Sequence, residues 1–180
     1  REIGEIIPTK DFLGNSQAPE ALTFINGMGD QAFLAEGDTL KTAIYSADKF
    51  GKKWAQPTRI TAIDDTYLQP NYPFMLSDGM TLYFAAKGSH SIGGYDLFMT
   101  RYNNEQHSFY QPENMGLPYN STANDYLLIT DDINELGWLV TDRNIPEGKV
   151  CIYTFVPTKQ RFSYEKDNLT TKQLEAQAQI

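Results

Sequence analysis

Apolar residues in this chain come in short runs, and the runs recur. The segment Phe24 to Ala35 (FINGMGDQAFLA) sets an aromatic start, a glycine-bearing turn and a short apolar strand in that order. Phe74 to Ala85 (FMLSDGMTLYFA) has the same layout at an offset of 50 (74 − 24). Further on, Ala43-Ile44-Tyr45-Ser46 aligns with Asp96-Leu97-Phe98-Met99, and Trp54-Ala55-Gln56-Pro57 with Phe109-Tyr110-Gln111-Pro112. A third copy follows, in which Gly137-Trp138-Leu139 aligns with Leu82-Tyr83-Phe84, and Ile152-Tyr153-Thr154 with Leu97-Phe98-Met99. The run Tyr126-Leu127-Leu128-Ile129 opens that copy, before a polar turn at 131–135. The extra residues of the second copy fall in the loop 88–94, where insertion is tolerated.

Each unit reads as strand, turn, strand, loop, strand and aromatic edge. A period of about 50 residues with several short strands per unit predicts propeller blades or a related β array. Parallel α/β folds need a crossover helix between strands, and no amphipathic run of useful length separates these. An immunoglobulin-like sandwich does not by itself explain an internal repeat at this spacing. The expected fold is therefore all-β, a partial or small β-propeller of about three to four antiparallel blades. The expected divisions are an N-terminal strand or linker at 1–20, repeats at about 21–66, 67–122 and 123–165, and a C-terminal linker or short helix at 166–180.

Turn chemistry fits this layout. Gly79 after Ser77-Asp78 supplies positive φ without steric cost. Asn26-Gly27 is expected to do the same in the first copy, and Asn134 in the third. The run Leu82-Tyr83-Phe84-Ala85-Ala86 is apolar on both faces, as for a strand covered on both sides. The apolar run from Ile3 to Pro8 is expected to add an outer strand to a neighbouring blade. Thr170 or Thr171 is positioned to cap a short helix from about Lys172, with Leu174 and Ala178 on one face.

Composition then narrows the function. Aromatic residues make up 13% of the 180, including 11 Tyr and 10 Phe, which favours strands. The net charge is −8, and its basic residues are scattered. Nucleic acid and anionic lipid both require clustered Lys and Arg, so neither is an expected partner. No apolar stretch has the length of a membrane span. The first residue is Arg1, with no signal-peptide pattern after it, so a processed or excised piece of a longer chain is expected. Cys151, the one cysteine, is expected to be a small buried hydrophobe.

Several local patterns touch on chemistry. Gly27-Met28-Gly29-Asp30-Gln31-Ala32 fits a dinucleotide fingerprint, but that fingerprint needs a helix to begin there, and a hairpin turn is expected instead. Ser89-His90-Ser91 puts hydroxyls beside an imidazole without the glycine spacing of a nucleophile elbow. His107 stands apart, and two separated histidines do not make a zinc site. Asp64-Asp65 and Asp131-Asp132 lack the ligand spacing of a calcium loop. No metal and no cofactor is expected. Tyr67, Tyr72, Tyr95, Tyr119, Arg101 and Arg143 are of types favoured at recognition surfaces. The candidate ligand-binding set is Tyr95, Asp96, Arg101, Asp142 and Arg143, and Asp142-Arg143 is expected to form an internal ion pair.

The segment Ser77-Asp78-Gly79-Met80-Thr81-Leu82-Tyr83-Phe84 resembles the S-P-D-G-K-x-L-Y-F signature of the WD-like repeats in TolB-type propellers, without its proline. Gly93-Gly94-Tyr95-Asp96-Leu97-Phe98 is similar to the G-G-x-D-I-[FY] segment that follows it there. Pro112 to Ser121 resembles the link between blades, and Gly137 to Arg143 its G-Y-F-S-S-D-R. The likeness covers residues 70–155 well and 20–60 more weakly. It implies a periplasmic or outer-membrane-associated protein of Gram-negative bacteria. The implied role is non-enzymatic binding or scaffolding of a protein or glycan of the cell envelope. A carbohydrate-active enzyme or lectin on the same scaffold is the alternative. Closed propellers usually have at least four blades, so a three-repeat array left open exposes strand edges that a second copy is suited to cover.

Overall fold

The structure is a computed structural model that describes residues 3–157, Thr170 and Gln173. Strands make up 48% of it, and all pair antiparallel in three sheets. The first sheet begins with β1 (Gly4–Pro8), which is followed by a single helical turn, α1 (Thr9–Leu13). It continues with β2 (Leu22–Asn26), β3 (Gln31–Gly37), β4 (Thr42–Phe50), β5 (Lys53–Trp54) and β6 (Thr58–Arg59). The second contains β7 (Leu68–Met75), β8 (Thr81–Lys87), β9 (Asp96–Asn103), β10 (Ser108–Phe109) and β11 (Glu113–Asn114). The third contains β12 (Asp125–Asp131), β13 (Leu136–Thr141) and β14 (Cys151–Phe155).

The ladders bear out the repeat residue by residue. Phe33 lies between Phe24 and Ser46, Tyr83 between Phe74 and Met99, and Trp138 between Ile129 and Thr154. These triplets occupy equivalent places in the aligned copies. The short strands follow suit: Ser46 pairs with Thr58 and Met99 with Glu113. Even the irregular bonds repeat, Ala55 N to Asp48 O in one copy and Tyr110 N to Arg101 O in the next. The length difference is taken up between β8 and β9, as the insertion in the alignment requires.

Stacking of the sheets makes the core. The first long strand of each later sheet packs across the sheet before it: β7 against β2, β3 and β4, and β12 against β7, β8 and β9. Phe24 and Phe74 meet edge to face at 4.8 Å, joining the first sheet to the second. The second sheet is covered on both faces, so Thr81 to Ala86 are all buried. The third is covered on one face, and β13 alternates between buried and half-buried residues. That is the period-2 pattern of a strand with one wet side. Over the first sheet, α1 brings Phe12 to 5.1 Å from Trp54.

Four expectations are corrected. β1 pairs with β2 inside the first sheet, and not with a neighbouring one; the residues after it, with Thr9 bonded through its amide to Ala21 O, return the chain directly onto β2. In the first turn the left-handed residue is Gly29, φ 69°, rather than Gly27, because the turn closes with Gly29 N on Asn26 O. In the third turn it is Glu135, φ 52°, rather than Asn134, whose side-chain amide bonds to Asp131. Cys151 is half-buried, since it opens β14, on the flank of the third sheet. Gly79 has φ 66°, as expected.

The expected helix from about Lys172 lies outside the described residues apart from Gln173, whose amide bonds Thr170 O at 2.9 Å. Among the described residues no helix is long and apolar enough to cross a membrane.

Candidate functional site

The two ends of the stacked sheets differ in chemistry. At one end lie the tight turns that open each unit. At the other lie the long β8–β9 loop and the link from the second sheet to the third. The second end gathers polar residues of the β8–β9 loop and of the link, and these have structural tasks. Asp96 is fully buried at the start of β9, and its carboxylate accepts hydrogen bonds from the amides of Ile92 (2.7 Å) and Gly93 (3.2 Å) and from Asn114 Nδ2 (2.8 Å). Asn120 binds both backbone groups of Leu97 and also Asn114 Oδ1. Gly93 passes so close to the link that a Cβ there would stand 2.3 Å from Ala123 O. Only glycine fits at that crossing.

Strand β7 enters this end with an unusual backbone. Gln69 and Tyr72 are both left-handed, with φ 51° and 56°, and the ladder to β8 is interrupted on either side of Asn71. Such conformations cost on the order of 1–3 kcal/mol each in a non-glycine residue. Asn71 holds them in place. It is buried, its Oδ1 accepts the amides of Leu22 and Tyr72, and its Nδ2 donates to Glu20 O.

The outcome is a cluster of three half-buried tyrosines drawn from two sheets. Tyr72 meets Tyr95 at 5.8 Å and Tyr126 at 5.6 Å, both edge to face. Tyr95 and Tyr126 lie 5.5 Å apart. Tyr95 is located by its amide, which donates to Asn124 Oδ1, while Asn124 Nδ2 donates to Asp142. The Tyr95 hydroxyl donates to Gln69 O and the Tyr126 hydroxyl to Asp142. Lys87 Nζ stands 4.6 Å over the Tyr95 ring, a cation–π contact. A cleft of about 210 Å³ opens beside Tyr95, lined also by Lys87, Gln69, Glu20, Asp38 and Thr42.

Burial raises all three phenols above their usual range, Tyr126 to about 12, with the bond to Asp142 and its charge adding to the effect. For Asp142, burial opposes ionisation, but the bonds from Asn124 and Tyr126 outweigh it and keep the carboxyl below its ordinary value. At neutral pH the cluster presents neutral phenols and one anchored carboxylate. It is built to stack and to hydrogen-bond.

The five predicted ligand residues are divided by the structure. Tyr95 belongs to the cluster, Asp142 supports it, and Asp96 lies buried next to it. Arg101 is exposed near the other end of β9, opposite Thr81. Six residues of strand separate it from Tyr95 by roughly 20 Å. The expected Asp142–Arg143 pair is corrected: Arg143 is buried and pairs with Asp125, because Asn124 and Tyr126 already occupy Asp142. Of the other recognition candidates, Tyr67 and Tyr119 are buried in the core. Tyr126, Lys87 and the Asn71 clamp carried no sequence signal of their own, since the contacts that define them cross between sheets.

The remaining patterns resolve into structure. Gly27 to Asp30 form the β2–β3 turn. His90 stacks on Tyr67 at 5.5 Å, and Ser91 Oγ donates to Ala86 O. His107 sits left-handed in the β9–β10 turn. Asp65 pairs at the surface with Lys41 and Arg59. Among the described residues no three His, Cys, Asp or Glu converge as metal ligands.

Fold and site together define an all-β protein of repeated, stacked antiparallel sheets with an aromatic cluster at the sheet junction. No family model, curated protein or solved structure matches the chain.

Proposed function

We propose that the chain is a non-enzymatic binding module that holds a glycan or protein segment against the tyrosine cluster. The observation that carries this reading is the meeting of Tyr72, Tyr95 and Tyr126 beside the Lys87 cleft, on a backbone strained to put them there. Tyrosines give rigid contact area at low entropic cost and are favoured in recognition. Their raised phenols and the bound carboxylate of Asp142 offer no group poised to move a proton, which supports binding over turnover.

We read the architecture as part of a TolB-type β-propeller. Support comes from the repeated ladder triplets and from the first strand of each sheet crossing its predecessor. It also comes from the polar tasks of Asp96, Asn114, Asn120 and Asp142, which stand at motif positions. This reading brings with it a periplasmic or outer-membrane-associated setting in a Gram-negative envelope. It also leaves room for a second copy to cover an open edge.

The test titrates the purified chain with peptidoglycan fragments and chitotriose, following backbone amides by NMR. The expected result is shifts at Tyr72, Tyr95 and Tyr126 that vanish in Tyr95→Ala. No glycoside in a chromogenic panel should be hydrolysed. Turnover that is lost in Asp142→Asn would instead establish the carbohydrate-active enzyme.

A further inference from the structure

The opposite end of the molecule carries a second site. There the turns β2–β3, β7–β8 and β12–β13 lie side by side around a cleft of about 560 Å³. Its walls bear five carboxylates, Asp30, Asp48, Asp78, Asp131 and Asp132, against one cation, Lys49. Lys49 is itself engaged, standing 5.2 Å over the Trp54 ring. Ser77 Oγ donates to Asp132 and so ties the second turn to the third. Asp78 accepts the amides of Met80 and Thr81, and Asp131 those of Ile133 and Asn134. Bonds of this kind fix the carboxylates in place, and each retains lone pairs for another donor.

An independent observation points to a ligand. Thr130 lines the same cleft and is 7% exposed, and its Oγ1 has no hydrogen-bond partner among the described residues. A buried hydroxyl without a partner is unfavourable, and a bound donor that reached it would remove that penalty. The cleft also has apolar surface: Met75 and Leu76 line it, and Met28 and Ile133, 72% and 67% exposed, stand on its rim.

The carboxylates are spread along the cleft, and no three of the described His, Cys, Asp or Glu converge as metal ligands. A row of negative charge with apolar surface beside it suits a long side chain with an apolar stem and a cationic head. We infer that this cleft docks a lysine- or arginine-bearing segment of a partner protein, its charged head among the aspartates and its stem on Met75 and Leu76.

The probes are the acetylated, amidated peptide Lys-Leu-Lys and its counterpart with norleucine in place of lysine, each added to the full chain and followed by amide NMR. The lysine peptide is expected to shift the amides of Ser77 to Thr81 and Thr130 to Ile133, more strongly at low salt than at high. The norleucine peptide should leave them in place. In an Asp131→Asn/Asp132→Asn chain, where asparagine keeps the turn's acceptor, affinity should fall about tenfold, the scale of a lost charge pair. Thr130→Val should weaken binding severalfold. Equal shifts from both peptides would overturn the proposal, as would unchanged affinity in the double variant or cleft shifts with calcium chloride and none with the lysine peptide. Tyr95→Ala should leave this binding intact, which separates the site from the tyrosine cluster.

Discussion

The guanidinium of Arg143 is clamped onto the carboxylate of Asp125 beneath the link that joins the second sheet to the third. Both are buried. The same guanidinium donates to the carbonyls of Pro118 and Tyr119, and Asp125 takes the amide and hydroxyl of Ser121. One ion pair thus gathers the link and the start of β12.

Breaking it from one side leaves a buried charge with no counterpart. Arg143→Met should cost about 3–5 kcal/mol, read as a lower urea midpoint. Arg143→Lys should recover little, since an ammonium has no planar fork to span Asp125 and two carbonyls. Adding Asp125→Leu to Arg143→Met should restore part of the loss. A single variant as stable as the parent would contradict this account.

The three equivalent turns should all favour glycine at the left-handed residue. Gly29→Ala and Gly79→Ala place a side chain at φ 69° and 66°, and each should destabilise by about 1 kcal/mol. Glu135 already bears that strain at φ 52°, so Glu135→Gly should be neutral or stabilising by roughly 0.5 kcal/mol. Thermal melts of the three variants decide it.

Asp96 should titrate far from its ordinary range. Burial is the largest influence and lifts it to about 6, against the pull of the Ile92 amide, Asn114 and the Gly93 amide. The folded value lies above the unfolded one of 3.8. Between them the native chain holds the extra proton, so this contribution to stability is complete below about 3.8 and is lost as pH rises through about 6. Asp142 and Asp78, both lowered, act in the other direction, and their contribution is lost as pH falls below the ordinary carboxylate range. Carbon-detected NMR of the carboxyl groups should show Asp96 titrating last. An Asp96 midpoint at or below 3.8 would refute the assignment.

Thr130→Val replaces an unpartnered buried hydroxyl with a methyl of the same shape. The free chain should gain about 1 kcal/mol or hold level, seen as a raised or unchanged melting temperature. A clear drop would mean that the hydroxyl already has a partner.

Much of the fold was legible because strand pairing in this chain is periodic. Phe24, Phe74 and Ile129 recur at offsets of 50 (74 − 24) and 55 (129 − 74), and sheet register follows from such spacing. What was not legible lies between sheets or within a few residues of backbone. The partner of Arg143 is set by which carboxylate Asn124 and Tyr126 leave available. The left-handed position in a turn depends on which amide closes it, and that moved the assignment from Gly27 to Gly29. The tyrosine cluster required the bulges around Asn71, for which alternation of apolar residues gives no sign.

Apart from the irregularities at the starts of β7 and β12, the long strands keep their register from copy to copy, so the ladders do little to distinguish one unit from another. Identity resides in the connections. The second unit carries Asp96, Asn114 and Asn120 at the exit to its neighbour, whereas the first has Ala43 and Arg59 where the second has Asp96 and Asn114. What sets the second unit apart is therefore a handful of buried polar side chains where it meets the third.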